Sequence, residues 1–479
     1  MHKTACLAQR PLLASCSTLA PEPWMTPRRL GLLLATLLPL AAAAAEPATQ
    51  PAPDWQGPRG TDAERPGKPG EDAAARNARL SGFRQARFGM FVHWGLYAQA
   101  GGRWKEREVE GYGEWLQANA RIPAAEYERL AEQFNPVDFD AGAWVAVARA
   151  AGMSYLVFTA KHHDGFAMFD SQADDYNIVA RSPWRRDPLA ELARAAARAG
   201  LPLGIYYSQN LDWRDPDARG NDWEPGHRKA GNDFNAYMQR KALPQLRELL
   251  DGRYGPVAEL WWDYPADANQ AEGDAFRTLA WSLQPQLVMN DRGGGRGGDF
   301  STPEQAVPSK IGGEPDFEVC MTLNDTWGYR LDDTRWKSAP TLLGHLVDTV
   351  SQGGNFLLNV GPDARGRIPA ESVRILGEIG AWMQVNGEAI QGARRCPLPS
   401  FEGGRCTVTP GRLYLFVQRW PQAGKLRVPM PFALGSVRLL GEGAAALPWT
   451  MEDGELVIDL PIELRDAVVP VVSLSLTSS

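Results

Sequence analysis

The sequence predicts a (β/α)8-type barrel followed by a C-terminal all-β sandwich domain. Over roughly 300 residues, short apolar runs alternate with amphipathic stretches at helical spacing, as expected for parallel strands covered by helices. After about residue 386 the pattern changes to short segments of alternating polarity, separated by Gly, Pro and Asp, which reads as a sandwich. At least seven strand candidates, and no G-x-G-x-x-G opening a helix after the first of them, favour a closed barrel over an open doubly wound sheet.

The chain opens on a targeting segment. Arg28 and Arg29 precede the apolar run Leu30 to Leu40, and Ala41 to Ala45 follow as a small-residue cleavage site, which makes 1–45 a signal peptide. Residues 1–24 are a long prefix for such a peptide, and Met25 is the alternative start. The apolar run is too short to span a bilayer comfortably, and no later segment approaches that length. An exported protein, periplasmic or secreted, is expected, with no membrane span. Residues 46–78, rich in Pro, Ala, Gly and charge, read as a linker.

The barrel is expected over 79–388. Its strand candidates are Phe88 to Trp94, Ser154 to Ala160, Pro202 to Ser208, Ala258 to Asp263, Leu287 to Asp291, Phe317 to Leu323 and Asn355 to Val360. The helical stretches are 124–134, 140–151, 188–199, 233–250, 274–283, 341–351 and about 369–386. The sandwich, over 389–479, takes its strands from 404–409, 412–420, 425–430, 435–440, 446–451, 455–460 and 467–476.

Composition narrows the function. Charged residues at 22% and hydrophobic ones at 44% exclude a disordered chain, and a net charge of −7 argues against a nucleic-acid partner. Removing 1–45 takes four basic residues and one acidic one, so the mature chain is more acidic still. Seventeen Trp fit a ligand that stacks on rings, or a ring-rich core. Beyond Cys6 and Cys16 the chain keeps Cys320, Cys396 and Cys406, an odd number for an exported protein. Cys396 and Cys406 either close a small loop or stay unpaired. No C-x-x-C pair exists, against a zinc ribbon. A homo-oligomer is compatible with all of this.

Polar clusters fall at the C-terminal ends of the strand candidates, the functional face of a barrel. They are His93-Trp94-Gly95, Lys161-His162-His163-Asp164-Gly165, Ser208 with Asp212-Trp213, Asp263-Tyr264-Pro265 and Asn290-Asp291-Arg292. Trp, His, Asp and Arg together describe a sugar pocket, in which rings stack on apolar sugar faces and polar groups bind hydroxyls. His162, His163 and Asp164 also suggest a metal site, but adjacent His residues on a strand point to opposite faces, so they converge only if the strand ends between them. No metal and no cofactor is expected. Glycoside hydrolysis needs two carboxyl groups, about 5 Å apart when configuration is retained. Asp263, after an apolar strand and between Trp262 and Tyr264, is the nucleophile candidate; Asp164, before Gly165, is the weaker one and reads as a turn residue. For the acid/base, Glu304 follows a glycine-rich, flexible-looking loop (293–298) over the barrel mouth, with Glu114 and Glu318 as rivals. That loop lacks the Lys-Ser or Lys-Thr of a phosphate site.

At these residues the chain resembles the α-L-fucosidases of glycoside hydrolase family 29. The matching stretches include Arg87-Phe88-Gly89-Met90-Phe91-Val92-His93-Trp94-Gly95, Gly113-Glu114-Trp115, Lys161-His162-His163-Asp164-Gly165-Phe166, Tyr206-Tyr207-Ser208, Trp261-Trp262-Asp263, Asn290-Asp291-Arg292, Trp327-Gly328-Tyr329 and 353–362. The resemblance implies a barrel followed by a β-sandwich and a retaining, cofactor-free hydrolysis of fucosylated glycans. It implies Asp263 as nucleophile and Glu304 as acid/base. It places His93, Glu114, Trp115, His162, His163, Tyr207, Trp261, Arg292 and Trp327 in the substrate pocket, with Trp327 near the C5 methyl. The rival readings are a non-catalytic sugar-binding barrel and a metal-dependent hydrolase using His162, His163 and Asp164.

Overall fold

The computed structural model describes residues 67–228, 232–265, 267–309, 316–441 and 445–477. The signal peptide, the start at Met25, Cys6, Cys16 and the linker up to residue 66 lie outside the described residues. Seven apolar runs form strands: β1 Phe88–Val92, β2 Tyr155–Lys161, β3 Leu203–Tyr207, β4 Val257–Trp262, β5 Val288–Met289, β6 Glu318–Thr322 and β7 Asn355–Val360. They pair in parallel in the order β5-β4-β3-β2-β1-β7-β6. Inner side chains such as Phe91, Tyr155, Val157, Tyr206, Trp261 and Leu357 fill the interior. Outer ones pack under the helices, so both strand faces are buried, as parallel strands require.

The covering helices are α1 Ala73–Ala86, α2 Ala141–Ala150, α3 Pro188–Ala199, α4 Leu243–Leu250, α5 Gln270–Leu283, α6 Ala339–Ser351 and α7 Ala370–Asn386. Their starts are written in capping residues: Asp140, Asp187, Asn269 with Glu272, and Ser338 each accept an N–H of the first turn. The stretch expected as one helix over 233–250 is broken: Phe234–Tyr237 is α-helical, Met238–Ala242 is a π-turn, and α4 follows. The extra residue of the π-turn brings Lys241 inward onto Asp174 and Asp212, at 2.6 and 2.8 Å.

Helix α1 corrects the linker, which was expected to run to residue 78. Few of its buried positions are apolar. Arg79 is 7% exposed and pairs with Glu71 and Asp299, while Leu80 enters the interior cluster. This helix closes the N-terminal end of the barrel.

Strands β5 and β6 do not pair with each other; residues 299–305 lie between them. Asp299 N–H donates to Met289 O (2.6 Å) and Asp291 N–H to Phe300 O (2.9 Å). On the other side Glu318 N–H donates to Ser301 O (2.8 Å) and Cys320 N–H to Pro303 O (3.1 Å). An irregular segment therefore takes the place of the eighth strand and closes the ring. The glycine run before it is not the flexible loop expected. Gly293, Gly294, Gly297 and Gly298 are buried, and Arg277 donates to Gly294 O and Arg296 O. A Cβ on Gly298, whose φ is +116°, would lie 2.4 Å from Asn290 O, so only glycine allows this close approach.

The sandwich comprises β8 Arg394–Arg395, β9 Gly404–Thr409, β10 Arg412–Val417, β11 Lys425–Pro429, β12 Leu434–Leu439, β13 Trp449–Glu452, β14 Glu455–Asp459 and β15 Val471–Leu476. A five-stranded sheet, β8-β9-β10-β15-β12, faces a three-stranded one, β11-β14-β13, both antiparallel. Leu413, Leu415 and Leu474 meet Leu426, Leu456 and Ile458 between them. On the outer face of the larger sheet Tyr414, Phe416 and Val471 join the barrel's helix-side core. Cys396 and Cys406 are joined as a disulfide, and Cys320 is a buried thiol.

Candidate active site

The strand ends deliver the polar residues to one face. His93 follows β1, His162 and His163 follow β2, Ser208 follows β3, and Asp263 follows β4. Arg292 sits in a single 3₁₀ turn after β5, and Glu304 lies on the closing segment beside β6. Because β2 ends at Lys161, the two histidines escape strand alternation and converge.

Asp263 is the centre of the arrangement. The Tyr206 hydroxyl donates to its Oδ2 (2.7 Å) and Arg292 Nη1 to its Oδ1 (3.0 Å). Tyr264 N–H adds a third donor at 2.8 Å on Oδ1. Tyr264 takes φ +48°, a left-handed conformation uncommon for a non-glycine residue, and its own carbonyl accepts from Asn210 Nδ2 (3.0 Å). Gln209 ties the backbone of both partners: its Oε1 accepts from Asp263 N–H and its Nε2 donates to Arg292 O. The Asp263 side chain keeps 15% exposure, enough to meet a ligand.

Arg292 spans two carboxylates. Its Nη2 donates to Glu304 Oε2 (3.0 Å) while Nη1 holds Asp263. Its Nε and Nη2 also donate to Thr302 Oγ1 and Thr302 O, which fixes the planar fork against the closing segment. Glu304, at 28% side-chain exposure, is the more open of the two acids.

Three imidazoles line one side. Asn359 Nδ2 donates to Trp327 O (2.8 Å), so its Oδ1 accepts from His93 Nδ1–H (2.7 Å). Burial lowers the His93 imidazole to about 4, so the ring is neutral at pH 7 and Nε2 is an acceptor. Burial also holds His162 and His163 well below the usual histidine range. His162 stacks on Tyr206 with rings 5.3 Å apart, and its buried Nδ1 has no hydrogen-bond partner within the protein. His163 Nδ1 meets Ser208 Oγ (2.7 Å), and its Nε2 lies 3.4 Å from Asp263 Oδ2. Ligand atoms of His162, His163 and Asp263 all lie within 4.8 Å of one another. The carboxylate that meets the two histidines is therefore Asp263 and not Asp164. Asp164 is buried behind them, accepting from Phe166 N–H and the Tyr127 hydroxyl, in the turn role its sequence suggested.

Rings and one more acid complete the wall. Glu114 is buried, accepts from Gly328 N–H at Oε2 (2.7 Å), and leaves Oε1 without a protein partner. Burial, the largest influence on it, raises its carboxyl to about 7. Trp115 packs edge-on against His163, and Trp327 lies 5.0 Å from the His93 ring. Trp261 lies under Arg292, whose Cζ is 4.6 Å from the indole. Glu318, a rival acid, is fully buried with both oxygens taken, one by Trp261 Nε1–H (3.0 Å) and the other by the Tyr155 hydroxyl.

Tyr207 needs correction. It points out of the barrel, and its hydroxyl donates to Gln245 Oε1 (2.8 Å) among the helices. Tyr206 is the tyrosine that reaches the site. Alternation along β3, with Leu203 and Ile205 on Tyr207's side, carries that distinction. Gln209 and the buried network of Lys161, Lys241 and Asp212 were also not anticipated. Lys161 Nζ lies 3.3 Å from Asp212 Oδ2 and donates to the Tyr237 hydroxyl (2.9 Å), bracing the turn that carries His162 and His163.

Comparison with known proteins places the chain in a family. The family model described as Alpha-L-fucosidase matches residues 61–388, more than half of the chain. The chain is 30% identical over 415 residues to the plasma alpha-L-fucosidase of Homo sapiens, covering 79% of this chain and 85% of that protein. Alpha-L-fucosidase isoenzyme 1 from Paenibacillus thiaminolyticus superposes with a TM-score of 0.76 at 35% identity, covering 84% of this chain and 100% of that one. A GH29 alpha-L-fucosidase from Bacteroides thetaiotaomicron, solved as a trapped covalent intermediate with 2-fluoro-fucosyl fluoride, superposes with a TM-score of 0.75 at 28% identity, covering 84% and 96%. On these grounds the chain belongs to the α-L-fucosidase family of glycoside hydrolases, family 29.

Proposed function

We propose that the protein is a retaining exo-α-L-fucosidase that releases terminal α-L-fucose from glycans or glycoconjugates, with Asp263 as nucleophile and Glu304 as general acid/base. The observation that carries the reading is the Arg292 guanidinium, which hydrogen-bonds to both carboxylates at 3.0 Å. Two carboxylates held close together in one pocket, able to flank the scissile bond, are what double displacement requires. Asp263 attacks the anomeric carbon while Glu304 gives its proton to the departing oxygen, leaving a fucosyl ester on Asp263. Glu304 then takes a proton from water as that water attacks the same carbon, and the carbon–Asp263 bond breaks. Tyr206 and Arg292 hold the Asp263 carboxylate in place before attack and receive it again as it departs as leaving group.

The neutral imidazoles of His93, His162 and His163, with Glu114 and Trp115, suit the sugar hydroxyls. The Trp327 ring offers an apolar wall for the C5 methyl, where a 6-hydroxyl would find no partner. Support for export comes from the Arg28-Arg29 and Leu30 to Leu40 pattern. No helix of the described residues is long and apolar enough to cross a membrane.

Residues 46–479 should release 4-nitrophenol from 4-nitrophenyl α-L-fucoside at an unchanged rate in EDTA. Loss of turnover in chelator would transfer the reaction to a metal on His162, His163 and Asp263. Asp263→Ala should abolish turnover, with azide restoring it as a β-fucosyl azide.

A further inference from the structure

Glu318 is a carboxyl group buried inside the barrel, and the mechanism does not use it. Burying such a group is costly unless it is well satisfied. Its neighbour Glu259 is a second buried acid, with Oε1 lacking a protein partner. Burial raises the Glu318 carboxyl to about 7, and burial, with Glu318 beside it, raises Glu259 well above the usual carboxylate range. An interior lined by Val157 and Leu357 would accept a leucine at either place, so the acid calls for a reason.

The hydrogen bonds supply one. Glu318 Oε1 accepts the Trp261 Nε1–H at 3.0 Å, and Oε2 is held by the Tyr155 hydroxyl. The Tyr206 ring stacks on this indole, with centroids 5.7 Å apart and planes at 19°. The Arg292 guanidinium lies over it at 4.6 Å. Tyr206 and Arg292 are the two side chains that donate to the two oxygens of Asp263, at 2.7 and 3.0 Å. One indole thus contacts both donors, and one buried acid fixes that indole.

We propose that Glu318 is a positioning residue for the reaction: it locks the Trp261 indole, and through it aligns the Tyr206 hydroxyl and the Arg292 guanidinium that aim Asp263 at the anomeric carbon. The proposal rests on the assignment of Asp263 as nucleophile. It differs from any acid/base role for Glu318, because both of its oxygens are occupied away from the ligand.

The test is a double-mutant cycle on 4-nitrophenyl α-L-fucoside, with kcat, KM and thermal melting measured for Glu318→Leu, Glu318→Gln, Trp261→Phe and the combined variants. Glu318→Leu should lower kcat by roughly 10- to 100-fold with KM changed less than about threefold, the signature of a misaligned attacking group. Glu318→Gln, which keeps an acceptor for the indole N–H, should recover most of that loss. Trp261→Phe removes the same hydrogen bond from the other side, so adding Glu318→Leu to it should lower kcat by no more than about twofold further. Equal kcat losses from Glu318→Leu with and without Trp261→Phe would overturn the proposal. So would an unchanged kcat in Trp261→Phe, a result that decides the matter even if Glu318→Leu does not fold. Failure of the nucleophile assignment reads separately, as turnover by Asp263→Ala without azide.

Discussion

Arg292 explains why two acids in one pocket do not repel each other out of place. A forked, permanently charged side chain presents one nitrogen to Asp263 and the other to Glu304, and a lysine has no such fork. The division of labour between the acids is testable with leaving groups. Glu304→Ala should slow hydrolysis of fucosides with poor leaving groups by about 10²-fold or more and spare 4-nitrophenyl or fluoride leaving groups, because only the former need protonation. A uniform loss across leaving groups would move the role to Glu114. That residue carries its own pH signature. Its carboxyl is raised from the usual 4.5 to about 7 by burial, so the folded state binds its proton more tightly than the unfolded chain. The stability this gives is fully present below pH 4.5 and is lost as pH rises through 7, roughly 3 kcal/mol in all. Thermal melting from pH 5 to 8 should show that loss in the wild type, and Glu114→Gln should remove it from the difference curve. His93 acts in the opposite sense: its lowered value withdraws stability as pH falls from 6.5 through 4. Asp263 and Arg292 were legible in the sequence because they are charged residues set just past apolar runs. Tyr206 was not told from Tyr207, because a parallel strand buried on both faces reads as apolar in either phase.

At the scale of elements, the closing segment is the part that makes a site out of a sheet. It hydrogen-bonds to both edge strands and carries Glu304 beside Cys320. The approach depends on glycines. Gly298→Ala should cost roughly 1–3 kcal/mol of stability from its +116° φ and displace Glu304 through the clash with Asn290 O, lowering melting temperature and kcat together. Full activity in that variant would mean that the segment adapts without moving the acid. The glycine run read as flexible because glycine carries no burial pattern of its own; what it marks here is backbone packed on backbone. Helix α1 was missed for the opposite reason. Its inward face is built from arginines that bind Asp299 and Asp316, which a hydrophobic pattern does not register. The π-turn at Met238–Ala242 likewise hides inside a continuous helical pattern, since one inserted residue shifts the phase without breaking it.

For the whole molecule, the barrel and the sandwich share a core. Trp382 of α7 donates to Val468 O and Val469 O, Thr407 donates to Ala389 O, and Tyr414, Phe416 and Val471 pack on the helix side of the barrel. The sandwich covers α6 and α7. A chain ending at residue 388 should therefore lose its cooperative melt or become insoluble, and a two-state melt of residues 46–388 would show the barrel to be self-sufficient. Both architectures were readable from periodicity, and their shared face was not, because contacts between distant segments leave no local pattern. Trapping shows whether fucose passes through an ester on Asp263. A 2-fluoro substituent slows both steps, while fluoride leaves without acid help, so 2-fluoro-fucosyl fluoride should label a Glu304→Gln variant long enough for peptide mapping by mass spectrometry. One 2-fluoro-fucosyl adduct is expected, on the peptide that contains Asp263. An adduct on Glu304-free peptides bearing Glu114 or Glu318, or fluoride release with no adduct on any carboxylate, would contradict it.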